Sequence, residues 1–321
     1  MSRPPRIHQT GNDFTSNEFT SSEFTSSEFT SSEFTGRVLA WGAPRLRDLP
    51  WRRTRDPWSV LVSEVMLQQT QVARVAQRWE GFLELFPTYQ SCSAAPLADV
   101  LREWQGLGYP RRARNLHLAA TEILRLGTFP TDLPGLVRLP GIGPYTARAV
   151  LAFAFELDAA VVDTNIARIY ARHIGRTLSL RDVQAAADAS LPLGDAWVWN
   201  QCLMDLGAVV CRPAPNCEAC PVRSSCSWRG GSTDDPAIGS AGVSGKQARF
   251  QGSDREARGR LMKSLSAGPV DIASVPAVMV RSADVAHRLV AALIADGLCE
   301  RIDSHLQLPE DVAPRANATG S

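Results

Sequence analysis

The chain has 321 residues, enough for two or three small domains, and its 44% apolar content can build a sizeable core. A formal net charge of +1 excludes a globally basic nucleic-acid binder, so any affinity for a polyanion must come from local patches and backbone amides. No apolar run reaches membrane-spanning length and no basic-then-apolar leader opens the chain, so the expectation is a cytoplasmic protein without membrane contact.

Residues 14–35 read "FTSNEFTSSEFTSSEFTSSEFT", a five-residue repeat. Its period fits neither a helix face nor strand alternation, and the unit is too short for a solenoid. Polar bias predicts a disordered tail over residues 1–36; a recognition tail with spaced phenylalanines is the other reading. Over residues 37–228 helix follows helix. The stretch 58–86 carries Val65, Val72, Val75, Trp79 and Phe82 at helical spacing. "PLADVLREWQGLGY" and "RRARNLHLAATEILRLG" follow, with glycines at or near their ends. Next come "LPGLVRL", "YTARAVLAFAFE", "VVDTNIARIYARHIG", "DVQAAADASLP" and "AWVWNQCLMDLGAVVC". No set of strands emerges, and the expected fold class is all-α. Residues 229–254, rich in Gly, Ser and Ala, read as a linker. Over 255–310, two amphipathic helices and the hairpin pattern "LCERIDSHLQLP" suggest a small winged-helix-like module, either DNA-binding or purely structural. Residues 311–321 read as a second disordered tail.

Four features carry chemistry. In "LPGIGPYTARAV", Gly141 and Gly143 can take positive φ, and Pro144 suits the first helical position. The result is a tight turn ending at a helix N-terminus, either a phosphate grip through free amides or a plain turn between helices. Glu64 stands among Leu61, Val62, Val65 and Leu67. A carboxyl in apolar surroundings stays protonated, as a general acid requires, whereas a helical glutamate is otherwise an exposed or ion-paired residue. Asp163 opens the helix after the hairpin, where capping alone would also account for it. Of seven cysteines, Cys92, Cys202 and Cys299 are scattered, while Cys211, Cys217, Cys220 and Cys226 crowd into "CRPAPNCEACPVRSSC". A single C-x-x-C pair suits a zinc ribbon poorly; four thiolates around a [4Fe–4S] cluster in a reducing compartment suit it better.

With these residues in view, the chain resembles the helix-hairpin-helix DNA glycosylases of the endonuclease III superfamily, and within it the MutY-type adenine glycosylases. The resemblance covers about residues 37–228 and rests on "LPWR", "SEVMLQQTQV", "GLGY", "LPGIGPYTA", "VDTNIARIYAR" and "MDLGAVVC". It implies two helical lobes, a barrel lobe over 58–165 with the hairpin and a cluster lobe from 37–57 and 166–228, with DNA in the cleft between them. It implies a monomeric hydrolase that removes adenine opposite 8-oxoguanine or guanine in double-stranded DNA. Glu64 falls on the family's acid and Asp163 on its carboxylate after the hairpin. Arg52, Leu67 and Gln201 match positions that contact the extruded adenine. Gln69 and Tyr109 match positions that enter the duplex, and Gly141, Gly143 and Asn165 belong to the DNA-contacting motifs. Bifunctional relatives carry a lysine where Tyr145 stands; tyrosine cannot form the Schiff base, so a monofunctional enzyme is implied, with Tyr145 a helper beside Glu64. The four clustered cysteines match the ligands of a [4Fe–4S] cluster, although the spacer from Cys211 to Cys217 is one residue shorter than usual. Residues 230–321 do not resemble the Nudix-type domain that longer members of the family carry. Basic residues after Tyr109 (Arg111, Arg112, Arg114, His117) are expected to meet DNA phosphates; those around Arg52 (Arg53, Arg55) are either a second such patch or a solvated basic face. A glycosylase of other base specificity and a non-catalytic, cluster-bearing DNA-binding protein are the competing readings.

Overall fold

A computed structural model of the chain describes residues 32–231, 234–243, 245 and 249–309. Most of the repeat and the expected C-terminal tail therefore lie outside the described residues. Helix α1 (Ser32–Gly42) begins inside the last copy of the repeat. This corrects the tail boundary expected at residue 36. Phe34 is buried, with its ring 4.4 Å from that of His173 and 5.9 Å from that of Trp199. Aromatic burial outweighs the polar composition of the repeat here.

The run over 58–86, whose apolar residues keep helical spacing, is three helices: α2 (Pro57–Leu67), α3 (Val72–Ala76) and α4 (Trp79–Leu85). Asp56 caps α2 by accepting from the Ser59 amide, and Pro57 takes the first position, where its missing N–H costs nothing. The break after α2 follows from Gln69, whose φ of 55° is left-handed. Then come α5 (Tyr89–Ala94), α6 (Leu97–Glu103), α7 (Arg111–Leu126), α8 (Leu133–Val137) and α9 (Pro144–Phe153). Leu61, Met66, Phe82, Trp104, Leu116 and Val150 are among the residues that fuse these helices into one core.

A second core is built by α1 with α10 (Thr164–Ile174), α11 (Leu180–Ser190) and α12 (Ala196–Val209). Helix α12 packs on α1 and α10 and also touches α9, so it bridges the two cores. No strand occurs among the described residues up to 253, as the all-α reading requires.

Part of the expected linker is packed structure, a second correction. Asp235 accepts from Arg172 Nε at 3.0 Å and Nη2 at 2.6 Å. Ala237 and Ser240 are buried, and the Ser240 hydroxyl accepts from the Leu178 amide. Beyond it lie α13 (Asp254–Ala267), β1 (Val270–Asp271), α14 (Val275–Met279), α15 (Ala283–Ala295), β2 (Glu300–Ile302) and β3 (His305–Gln307). The strands form an antiparallel sheet in the order β1-β3-β2, with Leu306 opposite both Val270 and Arg301. Leu261, Leu265, Leu289 and Leu306 of this module share the core of α2–α9. No helix among the described residues is long and apolar enough to cross a membrane.

Candidate active site

Every residue of α2 from Val60 to Met66 is buried. A helix covered on all sides belongs to the interior, so Glu64 has no solvent to turn toward. It is 4% exposed, and its Oε2 has no hydrogen-bond partner. Burial raises its pKa from 4.5 to about 7; a hydrogen bond from Tyr145 opposes the rise, the Asp163 charge adds to it, and Arg52 opposes it. A carboxyl of this kind carries a proton it can give away near neutral pH.

Tyr145 lies in the first turn of α9, directly after the hairpin. Burial and the neighbouring Glu64 and Asp163 push its phenol well above the ordinary value, so it stays a neutral donor. Asp163 caps α10: Oδ1 accepts from the amides of Asn165 and Ile166 at 2.9 and 2.7 Å, and Oδ2 accepts from Asn165 Nδ2 at 2.8 Å. Burial raises its pKa while these N–H donors lower it. Capping and closeness to Glu64 therefore coexist in one side chain. Asn165 is held in turn by Arg168, whose Nη2 donates to Asn165 Oδ1 and whose Nε donates to the Cys211 carbonyl.

The rim of the site is built from strained loops. Gly141 has φ of 76°, and a Cβ there would meet Asn115 Cβ at 2.6 Å. Gly143 departs from expectation: its φ is −90°, it caps α9 in extended conformation, and nothing crowds the position of its missing Cβ. Only Gly141 uses the freedom peculiar to glycine. Gln69 and Tyr109 are both exposed and both left-handed, with φ of 55° and 48°. One guanidinium explains how both persist. Arg112 donates through Nη1 to the carbonyls of Val65, Met66 and Gln68, and through Nη2 to Thr70 Oγ1 and the carbonyls of Leu107 and Gly108, all between 2.6 and 3.0 Å. Those acceptors flank Gln69 and Tyr109, so a single buried cation pins the end of α2 to the loop before α7.

This corrects the phosphate role expected for Arg112, and its neighbours behave similarly. His117 is buried with Nε2 2.8 Å from the Ala95 carbonyl oxygen. Arg111 faces Asp296 at 3.5 Å, Arg53 pairs with Asp48, and Arg55 pairs with Glu156 at 2.7 Å. Much of the expected basic patch is engaged within the protein.

Arg52 is likewise engaged. Its Nη atoms grip both oxygens of Asp205 at 2.8 Å, and Nη1 also donates to the Arg47 carbonyl; Nε is buried without a partner. Asp205 escaped the sequence reading, although an acid inside the otherwise apolar "LMDLGAVV" is a sign of a buried partner. It is 2% exposed and also binds Arg47; against burial, the hydrogen bonds from Arg52 first and from Arg47 second hold its carboxyl below the ordinary range. Gln201 is buried one turn earlier on α12, and Leu67 is half-buried at the end of α2.

Cys211, Cys217, Cys220 and Cys226 line one pocket with Arg172 and Trp228. Arg172 Nη1 donates to Cys211 Sγ at 3.4 Å. Among the described residues no three side chains are set to hold one metal ion. A four-iron cluster spreads its thiolates around a body of several atoms, so single-ion spacing is not its requirement. Four thiols lining one pocket beside a cation, which offsets thiolate charge, fit such a cluster.

Residues 62–185 match the model of the HhH-GPD superfamily of base excision DNA repair proteins. A solved thermostable thymine-DNA glycosylase superposes with a TM-score of 0.60 at 28% identity, covering 65% of this chain and 99% of that one. A trapped endonuclease III–DNA covalent intermediate shares the fold, with a TM-score of 0.56 at 24% identity over 63% of this chain and 97% of that one. The class is thus a helix-hairpin-helix DNA glycosylase. The adenine DNA glycosylase of Mycolicibacterium smegmatis is 40% identical over 274 residues, 82% of this chain and 92% of that protein. The adenine DNA glycosylase of Homo sapiens is 38% identical over 228 residues, 65% of this chain and 42% of that protein. The chain belongs to the adenine DNA glycosylases, hydrolases of the N-glycosyl bond in base excision repair.

Proposed function

We propose that this enzyme releases adenine mispaired with 8-oxoguanine or guanine, by hydrolysis alone and without cutting the strand. The observation that carries the reading is the cluster of Glu64, Tyr145 and Asp163, in which a buried carboxyl raised to about 7 lies beside a half-buried second carboxylate and a half-buried phenol. Adenine must leave the stack to be reached, which costs a few kcal/mol and less at a mispair. As an anion it departs poorly, so Glu64 gives its proton to the base. The C1′–N9 electron pair leaves with the protonated adenine and the sugar becomes oxocarbenium-like. Asp163, whose three N–H donors favour its charged form against the effect of burial, faces that positive charge, and water adds to C1′, its proton returning to Glu64, to leave an abasic site. Tyr145 holds Glu64 through its hydroxyl. With no lysine at position 145, no amine stands ready there to attack the sugar.

The rim loops supply the hold on DNA. Gly141 and Gly143 offer exposed backbone at a helix N-terminus to a phosphate, and Gln69 and Tyr109 stand out as groups that enter the duplex. Leu67 and Gln201 would meet the extruded adenine. Arg52 contributes by ordering Asp205 and by the one Nε it has left. Cys211, Cys217, Cys220 and Cys226 would hold a [4Fe–4S] cluster, which when bound ties the loop after α12 into a rigid unit. The enzyme acts on this reading as a cytoplasmic monomer. The likeness to a thymine-DNA glycosylase supports a second reading, in which thymine or uracil opposite guanine is released.

The test is a panel of duplexes containing A:8-oxoG, A:G, T:G and U:G, each incubated with the protein and divided before alkali treatment. Strand breaks are expected in the first two, and only after alkali. Breaks without alkali, or a borohydride-trapped adduct, would contradict hydrolysis alone. Breaks confined to T:G and U:G would establish the second reading.

A further inference from the structure

Tyr109 is gripped from two sides. Its backbone, at φ of 48°, is set by Arg112, which donates to the two preceding carbonyls. Its side chain is met by a residue 146 positions away: Arg255 Nη1 donates to the Tyr109 hydroxyl at 2.9 Å. Arg255 stands in the first turn of α13, and its guanidinium also lies 6.0 Å from the centre of the exposed Phe250 ring.

The platform under Arg255 is firm. Leu261 and Leu265 of α13 are buried in the core shared with α6, and Gln105 Nε2 donates to the Met262 carbonyl. Gly297 fits so closely against Arg114 that a Cβ would meet its Nε at 2.7 Å. The module thus presents Arg255 from a fixed position, not from a loose arm.

We propose that Arg255 is a positioning residue: it presets the Tyr109 ring for entry into the duplex and so makes the C-terminal module part of mispair recognition. The inference rests on the reading above, in which Tyr109 enters DNA. A tyrosine on an exposed loop loses ring rotation when it inserts between bases. A cation that already fixes the hydroxyl has taken that loss before DNA arrives, and preorganisation of this kind raises affinity for the inserted state. The duplex that needs no insertion gains nothing. Removing the hydrogen bond therefore lowers discrimination more than it lowers general DNA binding.

The experiment uses the full chain and a duplex whose mispaired adenine carries a 2′-fluoro sugar that resists cleavage, with 2-aminopurine beside the opposite guanine. Fluorescence reports local unstacking, and titration gives the affinity ratio of mispaired to matched duplex. Arg255→Ala and Tyr109→Phe should each lower that ratio about three- to tenfold, the range of one hydrogen bond, and weaken the fluorescence gain. The double variant should lose no more than either single one, because both remove the same bond. Arg255→Lys should recover part of the loss, and melting temperatures should stay unchanged. Wild-type discrimination and fluorescence in Arg255→Ala would overturn the inference, as would losses that multiply in the double variant. No fluorescence gain with the wild-type protein would overturn both this inference and the reading of Tyr109. Neither readout requires adenine release, so a failure of catalysis is separately visible.

Discussion

Glu64 makes its role measurable through pH. Its carboxyl is raised from 4.5 to about 7, so the proton-donating form dominates below neutrality and the single-turnover rate should fall as pH rises through about 7. Glu64→Gln keeps the size but cannot donate, and should lose about two to four orders of magnitude in rate with no remaining limb at that pH. Stability, like activity, falls as pH rises, but over a lower window. Because the folded pKa lies above the unfolded one, the folded protein holds a proton that the unfolded chain has released. Stability is therefore full below about pH 4.5 and declines up to about pH 7. Glu64→Gln should be more stable than wild type at pH 8, by at most about 3 kcal/mol, and nearly equal to it at pH 4; denaturant titrations at both pH values check this. The apolar neighbours of this residue pointed to burial but left an exposed or ion-paired glutamate open; the structure shows it buried. Asp163 was legible only as two alternatives, capping or charge, because sequence cannot exclude that one carboxylate does both. Arg52 and Asp205 were not legible as a pair, since a partner 153 positions away leaves no local trace.

The elements show where periodicity misleads. Apolar spacing runs on through Val65, Val72, Val75 and Phe82, yet the helix stops at Leu67. The chain turns left-handed at Gln69, and the Arg112 guanidinium satisfies the carbonyls of Val65, Met66 and Gln68 that the ending helix leaves open. Burial lowers the Arg112 pKa only to about 10, so the cation persists. Arg112→Ala would leave several buried carbonyls unpaired at once and should cost more than about 3 kcal/mol, read as a lower denaturation midpoint. The hairpin gives a paired prediction. Gly141→Ala meets both the left-handed φ and Asn115, and should cost at least about 1–2 kcal/mol and weaken DNA binding. Gly143→Ala meets open space at an ordinary φ, and should change stability by less than about 1 kcal/mol. Equal effects in thermal melts of the two variants would contradict this account of the turn. The sequence motif marked the hairpin well, but it could not tell which glycine carries the strain, since that depends on Asn115 on a separate helix.

Across the whole molecule, apolar spacing marked the helical class, while the two cores were expected only from the family resemblance and the boundaries were misjudged. The repeat and the Gly-Ser-Ala stretch both look unstructured on composition, yet Phe34 and Asp235 are drawn into packed contacts by Trp199, His173 and Arg172. The C-terminal module shares one core with α2–α9, so the two should unfold in a single transition by calorimetry. The thiol pocket should carry about four irons per chain in protein prepared without oxygen, by elemental analysis; stoichiometric zinc would contradict the cluster assignment. The central claim is that two carboxylates brought together from α2 and the start of α10 divide the work of breaking an N-glycosyl bond. Asp163→Asn isolates it, because asparagine caps a helix as well as aspartate does but carries no charge. Single-turnover release of adenine from an A:8-oxoG duplex, measured beside affinity for the same duplex, is the decisive comparison. A rate at least about two orders of magnitude below wild type, with affinity retained, is predicted. An Asp163→Asn protein with near wild-type rate would reduce Asp163 to a cap and contradict the mechanism.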